Sequence, residues 1–230
     1  MRARALAVMA KAPVAGQVKT RLLPALTAQD AAALSSALLL DQLNHVHGLG
    51  MADFYLAYAP DSARLLMERL APSGFHLFAQ QGEDLGARMQ SVFARLFAAG
   101  YKQIVLIGAD LAPVPRNFFE EAYDFLAATG QRVVLGPSRD GGYYLVGCNR
   151  LTPEIFQGMT WSHSEVLAQT QVKLSSLKID YRLLPTWLDI DTPEDMRDLQ
   201  TVFSSTLENT MPNTLKLLRR LGRNPSGRLD

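Results

Sequence analysis

"QIVLIGAD", residues Gln103–Asp110, is the most strand-like run in the chain. Four consecutive apolar side chains, Ile104 to Ile107, form the pattern of a strand covered on both faces, not of one with a wet side. The run ends in Asp110. Pro113 and Pro115 then interrupt the chain before "RNFFEEAYDFLAAT" (Arg116–Thr129), whose apolar residues recur at helical spacing. A buried strand, a short turn and a helix make the repeating unit of a parallel α/β sheet.

The same unit recurs in both directions. Upstream, "ALAVMA" (Ala5–Ala10), "DFYLAYA" (Asp53–Ala59) and "FHLFAQ" (Phe75–Gln80) read as strands. Between and after them lie helical segments at Ala28–Gly48, Ser62–Ala71 and Asp84–Gly100, the first with Thr27 as N-cap and Gly48 as its stop. Downstream, "RVVLGP" and "GYYLVGC" read as strands. "DTPEDM" opens a helix with Thr192 as cap and Pro193 at its first position. The expected fold class is therefore α/β, single-domain and Rossmann-like, a mainly parallel central sheet with helices on both faces. The domain is expected to span 1–203. Residues 204–230 form an extension in which "PNTLKLLRRLG" makes one more helix and "RNPSGRLD" a loose end.

Composition narrows the function. The chain has 230 residues, a net charge of +1 and a single cysteine, Cys148. Near-neutrality argues against a nucleic-acid partner, and no stretch approaches the ~18 apolar residues of a membrane span. One cysteine excludes an internal disulfide framework and fits a reducing, cytoplasmic setting. His76 and His163 have no metal-ligand spacing with Cys148, which leaves no zinc site to propose.

Ligands of open α/β sheets gather at the carboxyl ends of strands, so the segments after each strand hold the candidates. After the first strand come Lys11, Gly16, Lys19, Thr20 and Arg21. Lys19-Thr20 looks like the end of a P-loop, but Val18 stands where a P-loop needs glycine, so a Walker-type loop is excluded. Cations and backbone N–H groups can still hold phosphate oxygens. Asp110 follows the central strand and is poorly placed to cap the next helix, because Pro113 and Pro115 intervene. Asp140-Gly141-Gly142 follows a later strand and reads equally as a hairpin turn or as a close backbone approach to a ligand. Asp189 and Asp191 stand near the end of the pattern, in "WLDIDTPEDM". Cations at one end of this list and isolated carboxylates through the rest are what a metal–nucleotide phosphate site needs, with Mg²⁺ bridging phosphates and one or two carboxylates.

Six motifs occur in an order that resembles a known group: "AKAPVAGQVKTRL", "GEDLGARM", "LIGADLAPVP", "GPSRDGGYYLVG", "TWSHSEVL" and "LDIDTPEDM". They resemble the GT-A-like, nucleotide-diphospho-sugar-transferase-fold proteins of bacteria, often labelled glycosyltransferases, some of them associated with radical-SAM and arsenosugar genes. The resemblance runs from Ala7 to Leu199. It extends to nucleotidyltransferases acting on molybdopterin and phospholactate, through the basic first loop and the "DTPED" ending. It implies a nucleotide or nucleotide-sugar over the first loop, with Lys11, Gly16, Lys19, Thr20, Arg21, Asp84 and Gly86 on the nucleotide side. It implies a divalent metal, Mg²⁺ or Mn²⁺, on Asp110 and Asp191, and catalytic roles for Lys19, Arg21 and Asp110. Asp140, Gly141, Gly142 and Trp161 fall to the acceptor or donor-sugar side. The acceptor is an unidentified small molecule, and a homodimer stays open. The metal-dependent glycosyltransferases of this fold carry Asp-x-Asp after the central strand, whereas this chain has Ala109-Asp110-Leu111-Ala112. Glycosyl transfer, nucleotidyl transfer to the α-phosphate of an NTP, and nucleotide binding without turnover are the three functional expectations.

Overall fold

The computed structural model describes residues 4–23, 25–202 and 207–222. Among these residues seven strands form one sheet: β1 (Arg4–Lys11), β2 (Asp53–Ala59), β3 (Phe75–Ala79), β4 (Gln103–Gly108), β5 (Arg132–Pro137), β6 (Tyr143–Cys148) and β7 (Asp180–Leu183). Among the described residues eight α-helices accompany them: α1 (Ala28–Leu49), α2 (Arg64–Leu70), α3 (Leu85–Ala98), α4 (Arg116–Ala127), α5 (Val166–Ser176), α6 (Pro193–Val202), α7 (Leu207–Thr210) and α8 (Pro212–Leu221). The expected end of the domain at 203 and the expected loose end at 223–230 lie outside the described residues.

The strand order is β3-β2-β1-β4-β6-β5-β7. β1 pairs in parallel with β2 and β4, β2 with β3, and β5 with β7; β6 alone runs against its neighbours β4 and β5. The sheet is thus mostly parallel, with one reversed strand where "RVVLGP" and "GYYLVGC" fold as a hairpin. The order reverses around β1, which leaves a crevice between the carboxyl ends of β1 and β4, the usual ligand position in such sheets.

Both faces of the sheet are covered because its strands present apolar residues to both. Leu6 and Val8 of β1 and Val105 and Ile107 of β4 face one layer, with Leu39, Leu43 and Val46 of α1 and Phe119, Ala122 and Tyr123 of α4. Ala5, Ala7, Ile104 and Leu106 face the other, with Met89, Val92, Phe93 and Leu96 of α3 and Leu174 of α5. A third cluster joins Leu34 and Leu38 of α1 to Leu188 and Ile190, Met196 of α6, and Leu217, Leu218 and Leu221 of α8. It lies behind the chain segment that carries Asp189 and Asp191.

Helix α1 runs past the expected stop at Gly48. Leu49 is buried, and the helix closes on Gly50, which takes the left-handed conformation at φ 62°. Helix α5 and strand β7 were not expected from the sequence. β7 is short and largely exposed, so it lacks the apolar run that marks a strand.

Candidate functional site

A cleft of about 600 Å³ opens at the carboxyl edge of the sheet. Its walls carry Lys11, Lys19, Thr20 and Arg21 from the first loop, Asp110 from the end of β4, Asp140 and Gly142 from the β5–β6 turn, Trp161 from the following loop, and Asp189 and Asp191.

The convergence of Asp110 and Asp191 has a simple local cause. Residues 110–112 and 188–190 run antiparallel, with Ile190 N–H donating to Asp110 O at 2.8 Å, Ala112 N–H donating to Leu188 O at 3.0 Å, and Leu111 facing Asp189. In extended chain, alternate side chains share a face. Leu188 and Ile190 are buried in the third cluster, so Asp189 and Asp191 both turn toward the cleft. Asp191 is also spared from capping. Thr192 Oγ1 accepts from Asp195 N–H at 3.2 Å, and the Asp195 carboxylate accepts from the Thr192 and Asp191 N–H groups at 2.7 and 3.0 Å. This capping box satisfies the start of α6 and leaves the Asp191 carboxylate for other partners.

Those partners are Lys19 and Arg21. Lys19 Nζ donates to Ile190 O at 2.5 Å and to Asp191 Oδ1 at 2.9 Å, and lies 3.1 Å from Asp110 Oδ2. The Arg21 guanidinium stands 3.9 Å from Asp191 Oδ2 and is largely exposed. Burial by itself lowers the Lys19 ammonium, but the Asp110 and Asp191 charges outweigh it and hold the group above the ordinary lysine value. Lys19 therefore sits beneath the carboxylates, while Lys11 and Arg21 stay at the surface of the cleft.

Four expected site residues do not line the cleft. Gly16 takes φ 77° in an exposed turn with open space about it, so the turn itself calls for glycine. Asp84 caps α3, accepting from Ala87 N–H at 2.7 Å. Gly86 lies under Trp161, and a Cβ there would be 2.4 Å from the indole. Gly141, at φ 87°, passes so near Ser164 that a Cβ would be 2.0 Å from its carbonyl oxygen. The Asp140-Gly141-Gly142 run is a hairpin turn, with Ser138 N–H donating to Gly142 O at 3.1 Å, and its Asp140 side chain also reaches the cleft.

One cleft residue, Arg88, escaped the sequence reading, and another, Asp189, stood among the candidate carboxylates without a role. Arg88 of α3 adds a cation, its Nε–H donating to Gly82 O at 3.0 Å. Asp189 adds a carboxylate whose pKa is pushed up to about 6, first by burial and then by the Asp140 charge, with Asp191 and Asp195 adding to it. The apolar-acid alternation of Leu188-Asp189-Ile190-Asp191 was the available signal for Asp189.

Asp110 and Asp191 suit a cation, since they already share the Lys19 ammonium at hydrogen-bond distance. Among the described residues no group of three or more His, Cys, Asp or Glu side chains is placed to hold a metal. A divalent ion would thus need further oxygens from phosphate or water, which is the ordinary manner of Mg²⁺.

Residues 42–163, more than half of the chain, match the family described as "uncharacterized protein conserved in bacteria (DUF2064)". The chain belongs to this family. It is also similar to the crystal structure of a candidate nucleotide-diphospho-sugar transferase from Desulfovibrio desulfuricans G20, at 30% identity and TM-score 0.84, covering 96% of each chain. Rv0371c from Mycobacterium tuberculosis H37Rv is 18% identical with TM-score 0.56, over 87% of this chain and 100% of that one. The 4-diphosphocytidyl-2C-methyl-D-erythritol synthase of Anaerococcus prevotii DSM 20548 is 9% identical with TM-score 0.56, over 87% and 96%. At such identities the last two share the fold and establish nothing further. No curated protein matches the chain. The fold is that of the nucleotide-diphospho-sugar transferases, as the six motifs implied. No helix among the described residues is long and apolar enough to cross a membrane.

Proposed function

We propose that this protein is a nucleotide-dependent transferase that moves a glycosyl group from a nucleotide-diphospho-sugar to a small-molecule hydroxyl. The observation that carries the reading is the convergence of Asp110 and Asp191 on one cation, beside the exposed Lys11 and Arg21, in the crevice where the strand order reverses. The full-length similarity to a candidate nucleotide-diphospho-sugar transferase supports it.

In this reading Lys11 and Arg21 bind the donor's diphosphate, Arg21 with a planar fork that matches phosphate oxygens. Arg88, which also lines the cleft, adds a further cation. Asp110 and Asp191 would hold a divalent metal, which would supply positive charge against the departing diphosphate. The acceptor hydroxyl oxygen would attack the anomeric carbon and give up its proton to water, while the bond to the diphosphate oxygen breaks and its electron pair leaves with the nucleoside diphosphate. Asp140, Asp189 and Trp161 also line the cleft and orient the acceptor. Catalysis then consists mainly of positioning and of stabilising charge on phosphate oxygens.

One observation favours nucleotidyl transfer as a second reading. The turn after β4 supplies a single carboxylate, and Ala112, where Asp-x-Asp would place the second, is fully buried. There an acceptor oxygen would attack the α-phosphorus of an NTP and pyrophosphate would leave.

A thermal-shift screen of NTPs and nucleotide-sugars, with and without Mg²⁺ or Mn²⁺, followed by product analysis, separates the readings. A ligand at a hundredfold its dissociation constant stabilises the native state by about 2.7 kcal/mol. Metal-dependent stabilisation by a nucleotide-sugar with release of the nucleoside diphosphate is the expected result. Pyrophosphate release from an NTP selects nucleotidyl transfer, and binding without any product selects a non-catalytic nucleotide-binding protein. Stabilisation by no nucleotide rejects all three.

A further inference from the structure

Lys19 stands in the first loop, where a basic residue is expected to meet phosphate, yet its side chain is only 2% exposed. Asp110 and Asp191 above it are 44% and 39% exposed. An ammonium has three protons to donate, and here it donates to Ile190 O and Asp191 Oδ1 at 2.5 and 2.9 Å and is ion-paired with Asp110 Oδ2 at 3.1 Å. The backbone at Lys19 lies in the left-handed region at φ 51°, a conformation that non-glycine residues adopt only when their surroundings impose it. A lysine so held directs its ammonium to the protein's own oxygens instead of to a phosphate. Its ammonium lies within 2.9 and 3.1 Å of the same two carboxylates that a shared metal ion would use.

We propose that Lys19 is a tethered stand-in cation: its ammonium holds the Asp110–Asp191 pair together in the nucleotide-free protein, and the incoming metal takes those carboxylate oxygens from it. The inference rests on the metal reading given under Proposed function and adds a competition to it. Two carboxylates drawn to one point repel each other unless a positive charge lies between them. Lys19 supplies that charge before ligand arrives, so the pair is already assembled when the metal–nucleotide complex enters. The same charge opposes a bare metal ion. Once the carboxylates have changed partner, two Lys19 protons become free to donate to the bound phosphates, and the contact with Ile190 O keeps the side chain in place.

The experiment is calorimetric titration of the nucleotide-free protein with Mn²⁺, wild type against Lys19→Met. Removing a unit charge a few ångströms from the metal position should tighten Mn²⁺ binding at least about tenfold, with circular dichroism checking that the variant is folded. Equal or weaker Mn²⁺ binding by a folded Lys19→Met overturns the inference while leaving the metal reading intact. A second measurement needs no variant. In wild-type protein with ¹⁵N-labelled lysine, the buried Lys19 Nζ signal should move when Mg²⁺ is added with UDP or GDP, and an unmoved signal under saturating ligand overturns the inference equally. Failure of Mn²⁺ to bind wild type or variant, with or without UDP or GDP, rejects the metal reading itself and this inference with it.

Discussion

At the mouth of the cleft the Arg21 guanidinium is 62% exposed and 3.9 Å from Asp191. An exposed side chain of this kind contributes little to folding, so Arg21→Ala should change stability by no more than about 0.5 kcal/mol. If the guanidinium binds the donor diphosphate, the same variant loses a hydrogen bond to a charged group and roughly 1.5–3 kcal/mol of nucleotide affinity. Calorimetric titration with the best nucleotide of the screen reads the difference, and wild-type affinity would remove Arg21 from the site. Gly141 has the opposite profile. It combines φ 87° with a Cβ position 2.0 Å from Ser164 O, so Gly141→Ala incurs both backbone strain and a backbone clash. A loss of about 2–5 kcal/mol is expected in chemical denaturation, and a loss below about 1 kcal/mol would contradict the packing described. The sequence left Gly141 open between a turn and a ligand approach. What crowds it is Ser164, a neighbour that local pattern cannot supply.

Among the elements, α8 shows how a helix of modest length is fastened to the rest of the fold. Asp41, in the middle of α1 and only 2% exposed, accepts from Asn213 N–H at 3.1 Å, Asn213 Nδ2 at 2.7 Å and Thr214 N–H at 2.7 Å. A carboxylate at a helix N-terminus satisfies orphan N–H groups and faces the positive end of the helix dipole. Asp41→Ala leaves the buried Thr214 N–H and the half-buried Asn213 donors without this acceptor, at a cost of about 1–3 kcal/mol. Amide hydrogen exchange should show α8 losing protection ahead of the central strands, whereas uniform loss across the fold would show that α8 does not depend on Asp41. "PNTLKLLRRLG" announced this helix through its apolar spacing. Its cap was hidden, because the acceptor lies on a different helix, 172 residues away in the chain.

For the molecule as a whole, α1 ties the layers together, since Leu39 and Leu43 pack on the sheet while Leu34 and Leu38 pack with α8. Cys148 lies on β6, between β4 and β5, only 1% exposed, and burial pushes its thiol far above the usual range. Labelling by a thiol reagent at pH 8 should therefore proceed only at the rate of global unfolding, and rapid labelling without denaturant would reveal local opening of the sheet. The sequence by itself determined the α/β class, the strands β1 to β6, and the segments that meet at the ligand edge, because buried strands and amphipathic helices are written in the spacing of apolar residues. Asp110 and Asp191 were legible for the same reason, each closing a strand-like run. Tertiary structure decided what spacing cannot encode: that β6 runs against its neighbours, that Asp189 turns beside Asp191 into the cleft, and that Lys19 lies beneath both carboxylates. The contact from Lys19 to Ile190 spans 171 residues. Its place depends on a left-handed backbone and on the pairing of two distant segments, and neither is present until the sheet has closed around them.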